Sequence, residues 1–190
     1  MLFRSLAAGL AAAGAIETVH GQSIANPMRP IPIPAQLPVK DGMAQLADTR
    51  LWYWDTGGSG VPIILLHPAT GSALIWGYQQ PAFAKAGFRV IAYSRRGYYN
   101  SAPYDRNNPG IGSEDLRQLA DVLGLGRFHL LATAAGGSIA SDFAFSYQNR
   151  LLSLTISSNT FGVRDGEIAK LAAMIRPKGF EQLPAEFREV

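Results

Sequence analysis

Three short segments of this chain hold residue types able to do chemistry, and each follows an apolar run. His67-Pro68-Ala69-Thr70-Gly71-Ser72 follows Pro62-Ile63-Ile64-Leu65-Leu66. Ser94-Arg95-Arg96-Gly97-Tyr98-Tyr99-Asn100-Ser101 follows Phe88-Arg89-Val90-Ile91-Ala92-Tyr93. Ala132-Thr133-Ala134-Ala135-Gly136-Gly137 closes the run Phe128-His129-Leu130-Leu131. The first segment offers an imidazole. The second offers two guanidinium groups, suited to an anionic ligand or to ion pairs with Asp105 or Glu114. The third offers small residues, which let a strand and a helix approach closely. In the third, Thr133 carries a hydroxyl, but its side chain should point away from the position held by residue 134. Ser138 lies four residues past Ala134, inside a helical stretch where a hydroxyl commonly bonds the carbonyl four residues earlier.

Histidine limits the chemistry further. His20 lies near the start of the chain, His67 in the first segment, and His129 within an apolar run, where it reads as a satisfied core residue. His67 reads as a hydrogen-bonding residue that orders its loop. With no Cys and no paired carboxylates, three scattered histidines lack ligand spacing, so neither a metal nor a cofactor is expected. Asp142 and Asp165 stand in no pattern that marks a catalytic acid.

The elements that position these segments follow from periodicity. Met43–Ala47 and Arg50–Trp54, separated by Asp48-Thr49, read as a hairpin. The runs 62–66, 88–93, 128–132 and 151–156 read as strands, the first three apolar enough for burial on both faces. Between them, 79–86, 113–124 and 136–147 read as helices, the first stopping at Gly87. Strands alternating with helices imply an α/β fold with a mostly parallel, doubly wound sheet, whose ligand site lies at the carboxyl ends of the strands.

The three segments, in this order, resemble the α/β-hydrolase family over about residues 42 to 159. Its first loop reads His-Gly, its second Arg-Gly-x-Gly-x-Ser, and its third is a Gly-x-Ser-x-Gly nucleophile elbow. The resemblance implies oxyanion-hole donors at the Ala69 and Ala135 N–H groups, and a nucleophile position at residue 134, where this chain has alanine. A methyl group has no proton to lose and no lone pair to attack a carbonyl. His67 and Arg95 are the implied substrate contacts. The family's base and acid come late in the chain, past Val190 here. The fold class expected is therefore the α/β-hydrolase type, incomplete at its C-terminal side. The family activity is hydrolysis of a small ester, lactone or related carbonyl substrate. Alternatives are a non-catalytic ligand-binding relative, or cofactor-independent, non-covalent chemistry by a His-Asp pair beyond the chain end.

Composition bounds the partners. The chain has 190 residues, 47% of them hydrophobic, enough for one core, and a formal charge of only +3. Clustered cations are missing, which excludes a nucleic-acid surface and leaves a small molecule as partner. One basic residue, Arg4, and an uncharged run Ser5–Ile16 resemble a signal peptide, taken as 1–21, so an exported protein with no remaining membrane span is expected. Residues 22–41 are a proline-rich extended arm, 42–160 the core, and 161–190 the start of a helical lid. A final strand at 151–156 would expose an apolar edge, which a C-terminal part of the protein would pair.

Overall fold

The computed structural model describes residues 30–159, together with Gly166 and Lys170, both of them helical. The expected signal peptide lies outside the described residues, as do residues 22–29 of the arm and nearly all of the expected lid.

Six strands form one sheet among these residues, in the order β1-β2-β4-β3-β5-β6. β1 (Lys40–Gln45) and β2 (Arg50–Asp55) are the hairpin, antiparallel to each other, and β2 is antiparallel to β4 (Arg89–Tyr93). β4, β3 (Pro62–Leu66), β5 (Phe128–Thr133) and β6 (Leu151–Ser157) run parallel. Helices α1 (Gln79–Lys85), α2 (Gly112–Val122) and α3 (Ala135–Tyr147) make the crossovers.

Alternation along β3 shows why its apolar run is continuous. Ile64 and Leu66 enter one core cluster with Leu116, Leu119, Phe128 and Phe143. Ile63 and Leu65 enter the other with Trp52, Trp54, Trp76 and Val90. Side chains of period two on a strand covered on both faces must all be apolar. The first cluster carries α2 and α3; the second carries Phe83 and Ala84 of α1. Helix α1 stops where expected: Gly87, at φ 92°, donates to Ala84 O, and Phe88 N–H reaches back to Phe83 O. Glycine takes that left-handed conformation without steric cost.

Two features differ from the sequence reading. Between β3 and α1 the chain makes a 3-10 turn, Ala73–Trp76, capped by Ser72 Oγ, which accepts from Leu74 N–H at 3.3 Å. The arm also ends at Val39, because Lys40 and Asp41 pair with Asp55 and Trp54 of β2. Its last residues are docked: the side chain of Gln80, 3% exposed, accepts from Leu37 N–H at 3.0 Å and donates to Leu37 O at 2.7 Å. A buried carboxamide needs such partners, and here the arm supplies them.

Candidate active site

β3, β4 and β5 are neighbours in the parallel part of the sheet, so their carboxyl ends deliver the three loops side by side. The third loop is the tightest. β5 ends at Thr133, α3 starts at Ala135, and the chain turns at Ala134 with φ 46° and ψ −120°. A non-glycine residue held there costs on the order of 1–3 kcal/mol and persists only when its surroundings enforce it. Three hydrogen bonds do so. Ala134 N–H donates to Ser157 O at 2.9 Å, Gly137 N–H donates to Ala134 O at 2.8 Å, and Asn159 Nδ2 donates to the same oxygen at 2.7 Å.

The two glycines follow from packing. A Cβ at Gly136 would stand 2.7 Å from Leu66 O and 2.8 Å from His67 O; one at Gly137 would meet Ile156 Cγ2 and Asn159 Cβ at 2.7 Å. The start of α3 is thus pressed between the first loop and β6. Ala69 lies in that first loop, and Ala135 is the first residue of α3, whose opening N–H groups have no intrahelical acceptor. Neither the Ala69 nor the Ala135 N–H has a hydrogen-bond partner among the described residues.

His67 is fully buried and ties the first loop to the second. Its Nδ1–H donates to Pro68 O at 2.7 Å, while Nε2 accepts from the Arg95 backbone N–H at 3.1 Å and faces Arg95 Nε at 3.4 Å. Two donors at Nε2 assign the proton to Nδ1. Burial holds the imidazole pKa down to about 4; the Pro68 bond opposes this and the Arg95 charge adds to it. His67 is therefore neutral at pH 7, and its one lone pair is already used.

The two arginines divide. Arg96 makes a bidentate contact with Asp115 at 2.8 and 2.7 Å, and a second with Asp48 at 3.1 and 2.7 Å. The expected partners were Asp105 and Glu114, and both are otherwise engaged. Asp105 accepts from Asn107 N–H, and Glu114 is held by Arg117 and Tyr147. Successive helical residues point about 100° apart, so Asp115 faces the β4 loop when Glu114 faces α3. Arg95 lies 4.6 Å over the Tyr98 ring and makes no ion pair among the described residues.

Other expectations fall differently. His129 is half-buried rather than in the core, because it sits next to β6: its Nδ1 pairs with Ser153 Oγ at 2.7 Å and its ring meets Phe88. Ser138 does not back-bond the helix; Ser141 does, to Gly137 O, while Ser138 Oγ accepts from Asn159. Asp142 accepts from the Ser113 hydroxyl. His20 and Asp165 lie outside the described residues. Asn159 was missed by sequence reasoning; its signal was a lone carboxamide just past the strand that follows the elbow.

A family model described as alpha/beta hydrolase fold matches residues 61–189. The chain is 32% identical over 129 residues to a 2-hydroxy-6-oxononadienedioate/2-hydroxy-6-oxononatrienedioate hydrolase of Burkholderia vietnamiensis, covering 65% of this chain and 43% of that protein. It is 30% identical over 106 residues to a 2-hydroxy-6-oxo-6-phenylhexa-2,4-dienoate hydrolase of Comamonas testosteroni, covering 53% of this chain and 37% of that one. A solved carboxylesterase structure from Nitrososphaera gargenis matches with a TM-score of 0.61 at 24% identity, over 74% of this chain and 54% of the other. The chain spans less than half the length of these two curated relatives.

Proposed function

The chain belongs to the alpha/beta hydrolase fold family, and from that premise we propose that it binds the carbonyl group of a small ester, lactone or related substrate through backbone amides, with no covalent bond to residue 134. The observation that carries this reading is the backbone of Ala134. A strained turn at φ 46° is retained although its side chain is a methyl group. Without a hydroxyl to aim, the turn still directs the Ala135 N–H out of the start of α3, beside the loop that holds Ala69. Two unpaired amides, one in a loop and one at a helix start, suit a developing oxyanion, whose stabilisation is commonly the largest single contribution to acyl-transfer catalysis.

Turnover on this scaffold uses water as the nucleophile, and water needs a base. His67 does not serve, since its Nε2 lone pair is bonded to Arg95. The base and its carboxylate partner are assigned to a part of the protein outside the described residues, which also pairs the open edge of β6. The two curated relatives are named as hydrolases of 2-hydroxy-6-oxo acids, which supports a carbonyl substrate. Export of the protein through its leader completes the proposal; the intact mass of the product recovered outside the cytoplasm, lower by residues 1–21, tests that part.

The site is tested with p-nitrophenyl butyrate. Mass spectrometry of the chain after incubation is expected to show no acyl adduct, while NMR line broadening of the ester shows saturable binding. Ala69→Pro, which removes one amide donor, weakens that binding about tenfold. An acyl adduct, or binding undiminished in Ala69→Pro, overturns the reading. A second reading, a binder that never turns over, is favoured by the same methyl group. Ala134→Ser in the longest form of the protein separates the two: esterase activity gained over a silent parent supports the binder, and turnover by the parent excludes it.

A further inference from the structure

The docked end of the proline-rich arm closes one side of a cavity. The space between the arm and the hairpin measures about 410 Å³, a size usual for small-molecule sites. Ile33 and Leu37 of the arm, Trp52 and Trp54 of β2, and Leu74 and Trp76 of the 3-10 turn stand in its wall. Three hydrogen bonds hold the arm there. Gln36 Nε2 donates to Gly77 O at 2.7 Å, while the buried Gln80 carboxamide accepts from Leu37 N–H at 3.0 Å and donates to Leu37 O at 2.7 Å. Pro34 and Pro38 fix φ along this stretch, which stiffens that side of the cavity.

The wall is apolar apart from one charge. Among the described residues that line the cavity, Asp41 alone is charged; Lys40, its neighbour on β1, does not line it. The hairpin register sets Asp41 opposite Trp54. Its Oδ2 accepts from Trp52 Nε1 at 3.1 Å, whereas Oδ1 accepts nothing and the carboxylate makes no ion pair among the described residues. The side chain is exposed, so that oxygen is open to a ligand. The indole N–H groups are otherwise placed: Trp54 Nε1 donates to Ala73 O at 2.8 Å, and Trp76 Nε1 is sealed from the cavity by burial. What the three indoles offer a ligand is ring carbon.

We infer that this cavity binds a small apolar amine in its ammonium form, with the ammonium donating to Asp41 Oδ1 and the hydrocarbon body lying against Ile33, Leu37, Leu74 and the indoles. An apolar cavity whose one charge is a carboxylate with a free oxygen matches a cation and repels an anion. Indole carbon adds to that preference, because aromatic rings attract cations. A neutral molecule of the same shape covers the same walls but brings no charge to Asp41. An exposed ion pair contributes modestly, so the selectivity is several-fold rather than absolute. The inference stands apart from the carbonyl reading, since neither Ala69, Ala134 nor Ala135 lines this cavity.

All three tryptophans of the chain line this cavity, so intrinsic fluorescence reports on it directly. The full chain is titrated at neutral pH with 3-phenylpropylamine, 3-phenylpropan-1-ol and 3-phenylpropionate, which put a positive, a neutral and a negative group on closely similar skeletons. The expected result is a saturable fluorescence change with the amine, and binding of the alcohol and the acid weaker by at least about fivefold. Asp41→Asn, which keeps an acceptor for Trp52 Nε1, weakens amine binding about fivefold and leaves alcohol binding within about twofold of the parent's. No saturable binding of the amine, equal binding of the alcohol or the acid, or undiminished amine binding in Asp41→Asn overturns the inference. Asp41→Asn is expected to melt with the parent, because the exposed carboxylate makes no ion pair among the described residues. Should it melt earlier, the ratio of amine to alcohol binding on the parent decides alone.

Discussion

Burial sets the protonation of His67, and that has a consequence in solution. Its folded-state pKa of about 4 lies below the ordinary 6.5, so between these values the unfolded chain takes up a proton that the folded chain refuses. Stability is therefore full above pH 6.5 and falls as the pH drops to 4, by on the order of 3 kcal/mol. Glu114 acts in a lower window. Its bond to Arg117, helped by Tyr147 and Gln118 and opposed by desolvation, holds its carboxyl at about 2 rather than 4.5. That stability is present above pH 4.5 and is lost towards pH 2. The side chain is 32% exposed, which limits its contribution to below about 1 kcal/mol. Urea midpoints from pH 7.5 to 3 should show both windows, and His67→Asn should flatten the upper one. A parent protein with constant stability between pH 6.5 and 4 contradicts a buried neutral His67. What the sequence disclosed at this scale was identity, not partnership: alanine at 134 could be read directly, whereas the choice of Asp115 over Glu114 depended on which way α2 was turned.

At the scale of elements, the junction between β5, α3 and the first loop depends on atoms that do not fit elsewhere. Gly136→Ala places a methyl 2.7 Å from Leu66 O, a backbone atom that cannot swing aside. A loss of about 1–3 kcal/mol is expected, read as a lower urea midpoint. Gly126→Ala is the control, since nothing lies within 4 Å of its added Cβ, and it should be nearly neutral. Arg96 joins three elements. Replacing it with Met leaves Asp115 buried and uncompensated, at a cost of about 3–5 kcal/mol by the same measurement. The strands were legible because a strand covered on both faces writes one unbroken apolar word, as at Ile63–Leu66. Helix ends were legible where a stop is local, as at Gly87. The docking of Leu37 on Gln80 was not, because a carboxamide at position 80 gives no local sign of a partner 43 residues away.

At the scale of the molecule, β6 borders the sheet among the described residues, with Leu152 41% and Leu154 36% exposed. Open apolar edges invite pairing with another chain. The 190-residue chain made alone should therefore self-associate as its concentration rises in sedimentation velocity, and Leu154→Lys should reduce that association; a chain monomeric throughout refutes the expectation. The strand order has a further meaning for synthesis. β2 pairs with β4 and not with β3, so the hairpin waits until Tyr93 has left the ribosome before it can join the rest. After that, β5 adds to the side of β3 that β4 leaves open, and β6 then adds to β5. From β5 onward the sheet grows in one direction, away from the hairpin, and any strand translated later would extend the β6 border without disturbing what had already formed.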